Sequence, residues 1–202
     1  MGRIRRVPAH EAAPEIARTY DWVRRGLAQL TGREPKRSIE PLETYAHVPG
    51  LLQGVLALES ATAGLNRLDV HLNHLAQLKA ATLTSCEYCI DLGSQIARRS
   101  GLSDAQLRAL PRYRESGLFN ALEVLVLDYA VSMSRTPVDV PEELFAQLKE
   151  HLDDGQLVEL THVIALENMR GRFNVALRIG VAGFSVGLVC AVPELANRSG
   201  VP

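Results

Sequence analysis

Apolar positions recur at steps of three and four along nearly the whole chain. The stretch "EIARTYDWVRRGLAQL" (15–30) sets Ile16, Tyr20, Val23, Leu27 and Leu30 on one stripe, the mark of an amphipathic helix. "TGREPKRSIEP" (31–41) is rich in turn formers and reads as a loop, dividing an N-terminal helical arm (1–40) from a helical domain (41–202). Pro41 and Pro49 suit the starts of two short helices, the second running to about Gly64. In "LDVHLNHLAQLKAATL" (68–83), Leu68, Leu72, Leu75 and Leu78 form an apolar line, with Asn66 and Asp69 as start signals. Ser85 predicts the cap of a helix from Cys86 to about Ser100, ended by Gly101. Ser103 and Gln106 spell a capping box for a short helix that stops at Pro111. "GLFNALEVLVLDYAVSMSR" (117–135) and "EELFAQLKEHL" (142–152) are helical, with the turn "TPVDVP" between them. "DDG" (153–155) precedes a last helix over 156–180, with a kink expected near Gly171. Sustained period-two alternation is missing, so the chain is read as all-α.

Composition narrows the function classes. The chain has 202 residues, 47% hydrophobic and 22% charged, which suits a compact globular domain. A formal net charge of −1 gives no electrostatic reason to expect nucleic acid or an anionic membrane as partner. The basic clusters "GRIRR" (2–6) and "EPKRS" (34–38) are short and read as solvated surface. "IGVAGFSVGLVCAVP" (179–193) is too short to span a membrane and holds four Gly or Pro residues, so it reads as a buried C-terminal segment. The first thirty residues carry charge throughout, so no export signal is expected. With three cysteines, an odd number, this points to a reducing, cytoplasmic setting without structural disulfides.

Two of those cysteines stand in "TSCEYCIDLGSQIARRSG" (84–101), as Cys86-Glu-Tyr-Cys89. At the start of a helix they share a face one turn apart, close enough to be bridged. Free N–H groups and the positive end of the helix dipole there favour thiolate over thiol. A thiolate beside a second thiol can attack a peroxide and resolve to a disulfide, or exchange with another disulfide. Two other readings stand beside the redox one. His71 and His74 could complete a two-His, two-Cys zinc set if the chain reversed tightly near "TLTS" (82–85), although His74 lies twelve residues before Cys86. Alternatively, the cysteines pack as small hydrophobes and the histidines line a polar face. Cys190, in an apolar run, reads as core.

An approach helix "HLNHLAQLKAATLTS" running into "CEYC", together with "ALENMRGRFNVALRIG" (165–180), resembles the carboxymuconolactone decarboxylase-like superfamily, which includes alkylhydroperoxidase D. The resemblance implies a bundle of about seven to nine helices that assembles as a homo-oligomer, from dimer to hexamer. It implies a thiol peroxidase or disulfide oxidoreductase acting without a cofactor, on a small-molecule peroxide or disulfide, and recycled by a protein or small-thiol reductant. In alkylhydroperoxidase D the second cysteine attacks and the first resolves, which makes Cys89 peroxidatic and Cys86 resolving here. The family relay has a glutamate twelve residues before the first cysteine and a histidine four after the second; this sequence has His74 and Gly93 there. His74 can still carry a proton. Gly93 cannot, and its task would pass to Asp91, Ser94 or a water. Glu59 and Glu167 are the candidates for the acid–base residues a lactone decarboxylase would need, but read first as ion-pair partners. Arg170, Arg172 and Asn174 fall in the second signature stretch, where the arginines could bind an anion but read first as pairing with Glu167. The alternatives to a thiol oxidoreductase are a non-redox homo-oligomeric binding protein of the same family and a zinc-binding variant.

Overall fold

The computed structural model describes residues 2–37 and 39–194. Among them all regular structure is helical: α1 (Pro14–Thr31), α2 (Glu40–Tyr45), α3 (Pro49–Ala63), α4 (Val70–Leu83), α5 (Glu87–Arg99), α6 (Asp104–Ala109), a 3-10 turn (Leu110–Arg112), α7 (Tyr113–Ser116), α8 (Ala121–Ser134), α9 (Glu142–Lys149) and α10 (Asp154–Leu177). The all-α expectation holds. With α6, the 3-10 turn and α7 taken as one stretch broken by Pro111, the described residues form nine helices, within the expected seven to nine. The last eight positions of the expected domain, 195–202, lie outside the described residues.

Local chemistry sets the helix starts. Asp69, not Asn66, caps α4 by accepting the N–H groups of His71 and Leu72. The Ser103–Gln106 box forms as expected, and Asn120–Glu123 and Asp153–Gln156 form two more. Each such cap is worth about 1 kcal/mol. The apolar stretch expected from 117 starts its helix only at Ala121, because Gly117 adopts a left-handed conformation (φ 65°) that ends α7. No break occurs at Gly171, and α10 runs through it for 24 residues.

α4 is the central strut. Leu75 and Leu78 join one apolar cluster with Tyr20, Ile90, Leu107 and Phe184, while Leu72, Ala76 and Ala80 join another with Val126, Leu148, Leu160 and Ile164. Burying a leucine of this kind is worth about 2 kcal/mol. α5 runs back along α4, since the Ser100 carbonyl at its far end lies 3.0 Å from His71 Nδ1 near the start of α4. α10 runs alongside α4 in the same direction. Glu159 takes the N–H groups of Arg67 and Leu68 at one end, and Gly171 lies against Thr84 at the other. α1 packs on α5, its Tyr20 within the cluster that holds the cysteines.

After α10 the chain folds over α5 as a strap. Asp91 on α5 takes the backbone N–H groups of Gly183, Phe184 and Ser185 at 2.7–3.0 Å. The 179–193 segment is only partly buried, against expectation: Ile179, Ala182, Phe184 and Ala191 are buried, whereas Val181, Val186, Leu188 and Val192 are exposed. Cys190 is half-buried rather than core, with its sulfur 3.3 Å from Ser94 Oγ. The strap closes on a buried ion pair. Lys79, 1% exposed, donates to both Glu194 carboxylate oxygens and to the Leu110 carbonyl, and Thr82 Oγ1 donates to Glu194 as well. No single helix among the described residues is long and apolar enough to cross a membrane.

Candidate active site

The site is built on the reversal between α4 and α5. Thr84 closes α4, its Oγ1 donating back to the carbonyls of Ala80 and Ala81. Ser85 then takes a left-handed conformation (φ 54°), and its Oγ donates to the Glu194 carbonyl. Ser85 is therefore the hinge of the turn and not the cap. The cap is Cys86, whose sulfur accepts the Cys89 N–H at 3.2 Å. Three residues, Thr84 to Cys86, thus reverse the chain and leave a sulfur on an N–H of the first turn of α5, where negative charge is favoured.

Cys86 and Cys89 are joined as a disulfide, their Cα atoms 5.2 Å apart. Cys86 is 1% exposed and Cys89 8%, so Cys89 is the more accessible sulfur. From α10, the buried Asn174 places its Nδ2 3.5 Å from each sulfur. A neutral amide donor facing both sulfurs stabilises whichever one carries charge after the bond opens. Gly171, one turn earlier, allows this approach: a Cβ there would stand 2.7 Å from the Thr84 Cβ.

A polar cluster adjoins the pair along α10. Arg170 donates through Nε to Glu59 on α3 at 2.8 Å, and through Nη1 to Gln77 Oε1 on α4 at 3.1 Å and to Glu167 Oε2 at 2.9 Å. Its Nη2 also meets Glu59. Burial alone would weaken the hold of Arg170 on its proton, but Glu167 and Glu59 together keep the guanidinium firmly charged. Burial pushes the Glu167 carboxyl up from its usual range; Arg170 opposes that and Glu59 adds to it. Glu167 Oε1 is buried with no hydrogen-bond partner among the described residues. Nearby, Tyr45 stacks on Phe173 with ring centroids 4.2 Å apart. Tyr88, within the CxxC itself, is held in its neutral phenol form chiefly by burial, with the carboxylates of Asp91, Glu59 and Glu43 adding to it.

The other expected residues fall elsewhere. His71 sits at the opposite end of the hairpin, between the Ser100 carbonyl and Glu123 Oε1. The reversal needed for a two-His, two-Cys zinc set exists, but it sends the histidines away from the cysteines. Among the described residues no three His, Cys, Asp or Glu side chains group to hold a metal ion. His74 lies nine residues before the end of α4, ~14 Å along its axis, with Nδ1 buried and without a hydrogen-bond partner among the described residues. Burial, and then the neighbouring His71, lower its pKa below 6.5. Asp91 and Ser94 are both engaged by the strap. Arg172 reaches out to Thr136. Asn174, named in the sequence as part of the second signature stretch but given no role there, is the contact that faces both sulfurs. Its place in the signature stretch, three residues after Gly171, was the available signal.

The profile of the carboxymuconolactone decarboxylase family matches residues 49–131, which include α4, the turn and α5. The uncharacterized protein YnjA of Escherichia coli (strain K12) is 32% identical over 194 residues, covering 93% of this chain and 97% of YnjA. This chain belongs to the carboxymuconolactone decarboxylase family. Two solved structures share the fold. An uncharacterized peroxidase-related protein with an alkylhydroperoxidase AhpD core, from Ralstonia eutropha JMP134, superposes with a TM-score of 0.72 at 16% identity, over 88% of this chain and 90% of that one. The debrominase Bmp8 in its apo form superposes with a TM-score of 0.70 at 21% identity, over 84% of this chain and 89% of that one.

Proposed function

We propose that this family member is a thiol oxidoreductase that reduces a peroxide or a disulfide, with Cys89 attacking and Cys86 resolving. The observation that carries the reading is the Cys86–Cys89 bond at the capped start of α5, facing the Asn174 amide. Helix-start N–H groups and an amide donor are the features that lower a thiol pKa and make its thiolate a nucleophile and a leaving group. The greater exposure of Cys89 favours it as the sulfur that meets substrate. The fold neighbours, named as a debrominase and a peroxidase-related protein, are compatible with such chemistry. A dithiol protein or small thiol would recycle the disulfide by exchange at the same sulfur.

His74 enters as the proton-transfer group that the family position suggests. Its distance along α4 makes the test direct: a His74→Gln variant with an unchanged rate assigns the proton to another residue. We further propose a homo-oligomer. α3 buries only Leu52, while Val48, Leu51 and Leu58 are 55%, 50% and 37% exposed, an apolar surface that a second copy could cover. Sedimentation of the intact protein as a monomer would remove this element.

The test of the main reading is the thiol state of the reduced protein before and after one equivalent of hydrogen peroxide, by intact mass with alkylation. The expected result is loss of two alkylatable thiols, mapped to Cys86 and Cys89. Three thiols that stay free would overturn the reading and favour the non-redox binding protein.

A further inference from the structure

Glu167 is more than nine-tenths buried, at 5% exposure, yet one of its carboxyl oxygens has no partner among the described residues. Its other oxygen accepts from Arg170, whose remaining donors go to Glu59 and Gln77. Two carboxylates thus face one guanidinium, and the cluster is one negative charge in excess unless one carboxyl holds a proton. The buried one is the natural holder, because a lone unpaired anion is costly away from water. Glu59, 38% exposed at the side chain, connects the cluster to solvent. Glu167 and Asn174 are seven residues apart on α10, two turns and ~10 Å along one face, and Asn174 touches both sulfurs.

We infer that Glu167 is the internal proton donor of the thiol cycle, supplying its proton along this face of α10 toward the cysteine pair and regaining it from solvent past Glu59. The inference rests on the thiol-oxidoreductase reading. It fills the task left by Gly93 and by the remote His74. In the first step the Cys89 thiolate attacks the terminal oxygen of an organic hydroperoxide. An S–O bond forms, the O–O bond breaks, and the departing alkoxide takes the Glu167 proton through a water, leaving an alcohol and a Cys89 sulfenic acid. In the second step the Cys86 thiol attacks the sulfenic sulfur. The S–S bond forms, and the hydroxide that leaves takes the Cys86 proton as water. Two electrons pass from the thiols to the peroxide, and a dithiol reductant restores them.

The charged groups acting on Glu167 are Arg170 on its own helix, which is bonded to it, and Glu59 on α3; the neutral Gln77 on α4 shares the Arg170 guanidinium. Glu59 and Arg170 also act on Tyr45 of α2. Burial raises the Glu167 pKa, so the acid form persists above the ordinary carboxyl range. The rate should then fall as pH rises through that raised value.

The experiment is single-turnover oxidation of the fully reduced protein by cumene hydroperoxide across pH 5–9, with Glu167→Gln and Cys89→Ser beside wild type. Glu167→Gln keeps the shape and an Arg170 partner but holds no transferable proton. It should slow disulfide formation by about 100-fold and lose the descending limb at high pH. If Glu167→Gln keeps both the rate and that limb while Cys89→Ser is inert, the inference fails and the thiol reading stands. If Cys89→Ser still turns over, both fail. Infrared titration of the wild type gives a second readout that needs no variant. A carboxylic-acid carbonyl band persisting at neutral pH is expected, and its absence would overturn the inference.

Discussion

The two ends of the α4–α5 hairpin carry the same kinds of residue and differ in what they can do. At the open end His71 is tied between a backbone carbonyl and Glu123. At the turn end the sulfurs face an amide that can shift its hydrogen bond from one to the other, two turns of α10 from a buried carboxyl with one oxygen unpartnered among the described residues. The His71 contacts are finished structure, whereas the turn end keeps capacity in reserve. Antiparallel packing separates them by the length of a helix, so residues that sequence spacing could unite as one metal set belong to two different places.

The sharpest way to break the comparison is at the sulfur. Cys89→Ser should abolish peroxide-dependent thiol loss altogether, whereas a change at His71 should leave it intact. Glu194→Ala is expected to cost about 3 kcal/mol in urea unfolding, since it leaves the buried Lys79 without its carboxylate, held by the Leu110 carbonyl and the face of the Tyr113 ring. Burial holds the Lys79 pKa below 10.5 in the folded state, so the folded protein binds its proton less well than the unfolded chain does. The deficit should therefore narrow as pH climbs toward 10.5; a loss that grows with pH would refute this account. Gly171→Ala should cost about 2 kcal/mol by driving α10 away from Thr84. It should also slow the thiol reaction, because Asn174 moves with the helix. Asn174→Leu keeps the volume and removes the donor. The alkylation pKa of the reactive thiol should rise, and disulfide formation at pH 7 should slow about tenfold, as loss of one hydrogen bond to a thiolate predicts. The smallest effect belongs to the open end. The folded-state pKa of His74 is lowered, so protonation weakens the fold as pH drops below 6.5. His74→Leu should remove that acid sensitivity, measured as the change in urea midpoint between pH 7.5 and 5.5.

Much of this was legible in the residues. Leucine spacing announced α4, Ser103–Gln106 announced α6, and the CxxC marked the turn. The cap moved from Ser85 to Cys86 because the reversal needs one left-handed residue, and no local pattern says which polar residue will supply it. Gly171 read as a weak point in a helix, but its missing side chain makes room for another helix, which is a tertiary reason. The pairing of Arg170 with Glu167 follows from i,i+3 spacing. The reach of Arg170 to Glu59, 111 positions away, depends on α3 crossing α10 and has no local signature.

Gly93 bears on which substitutions the hairpin can take. A Cβ at that position would begin 3.3 Å from the Leu78 Cδ1 methyl, so α4 and α5 pack closely where the alkylhydroperoxidase D pattern has a histidine. An imidazole placed there by Gly93→His would press on a packed leucine. Trimming Leu78 would relieve the contact but opens a cavity in the core. A histidine at this position therefore needs a compensating change across the helix pair.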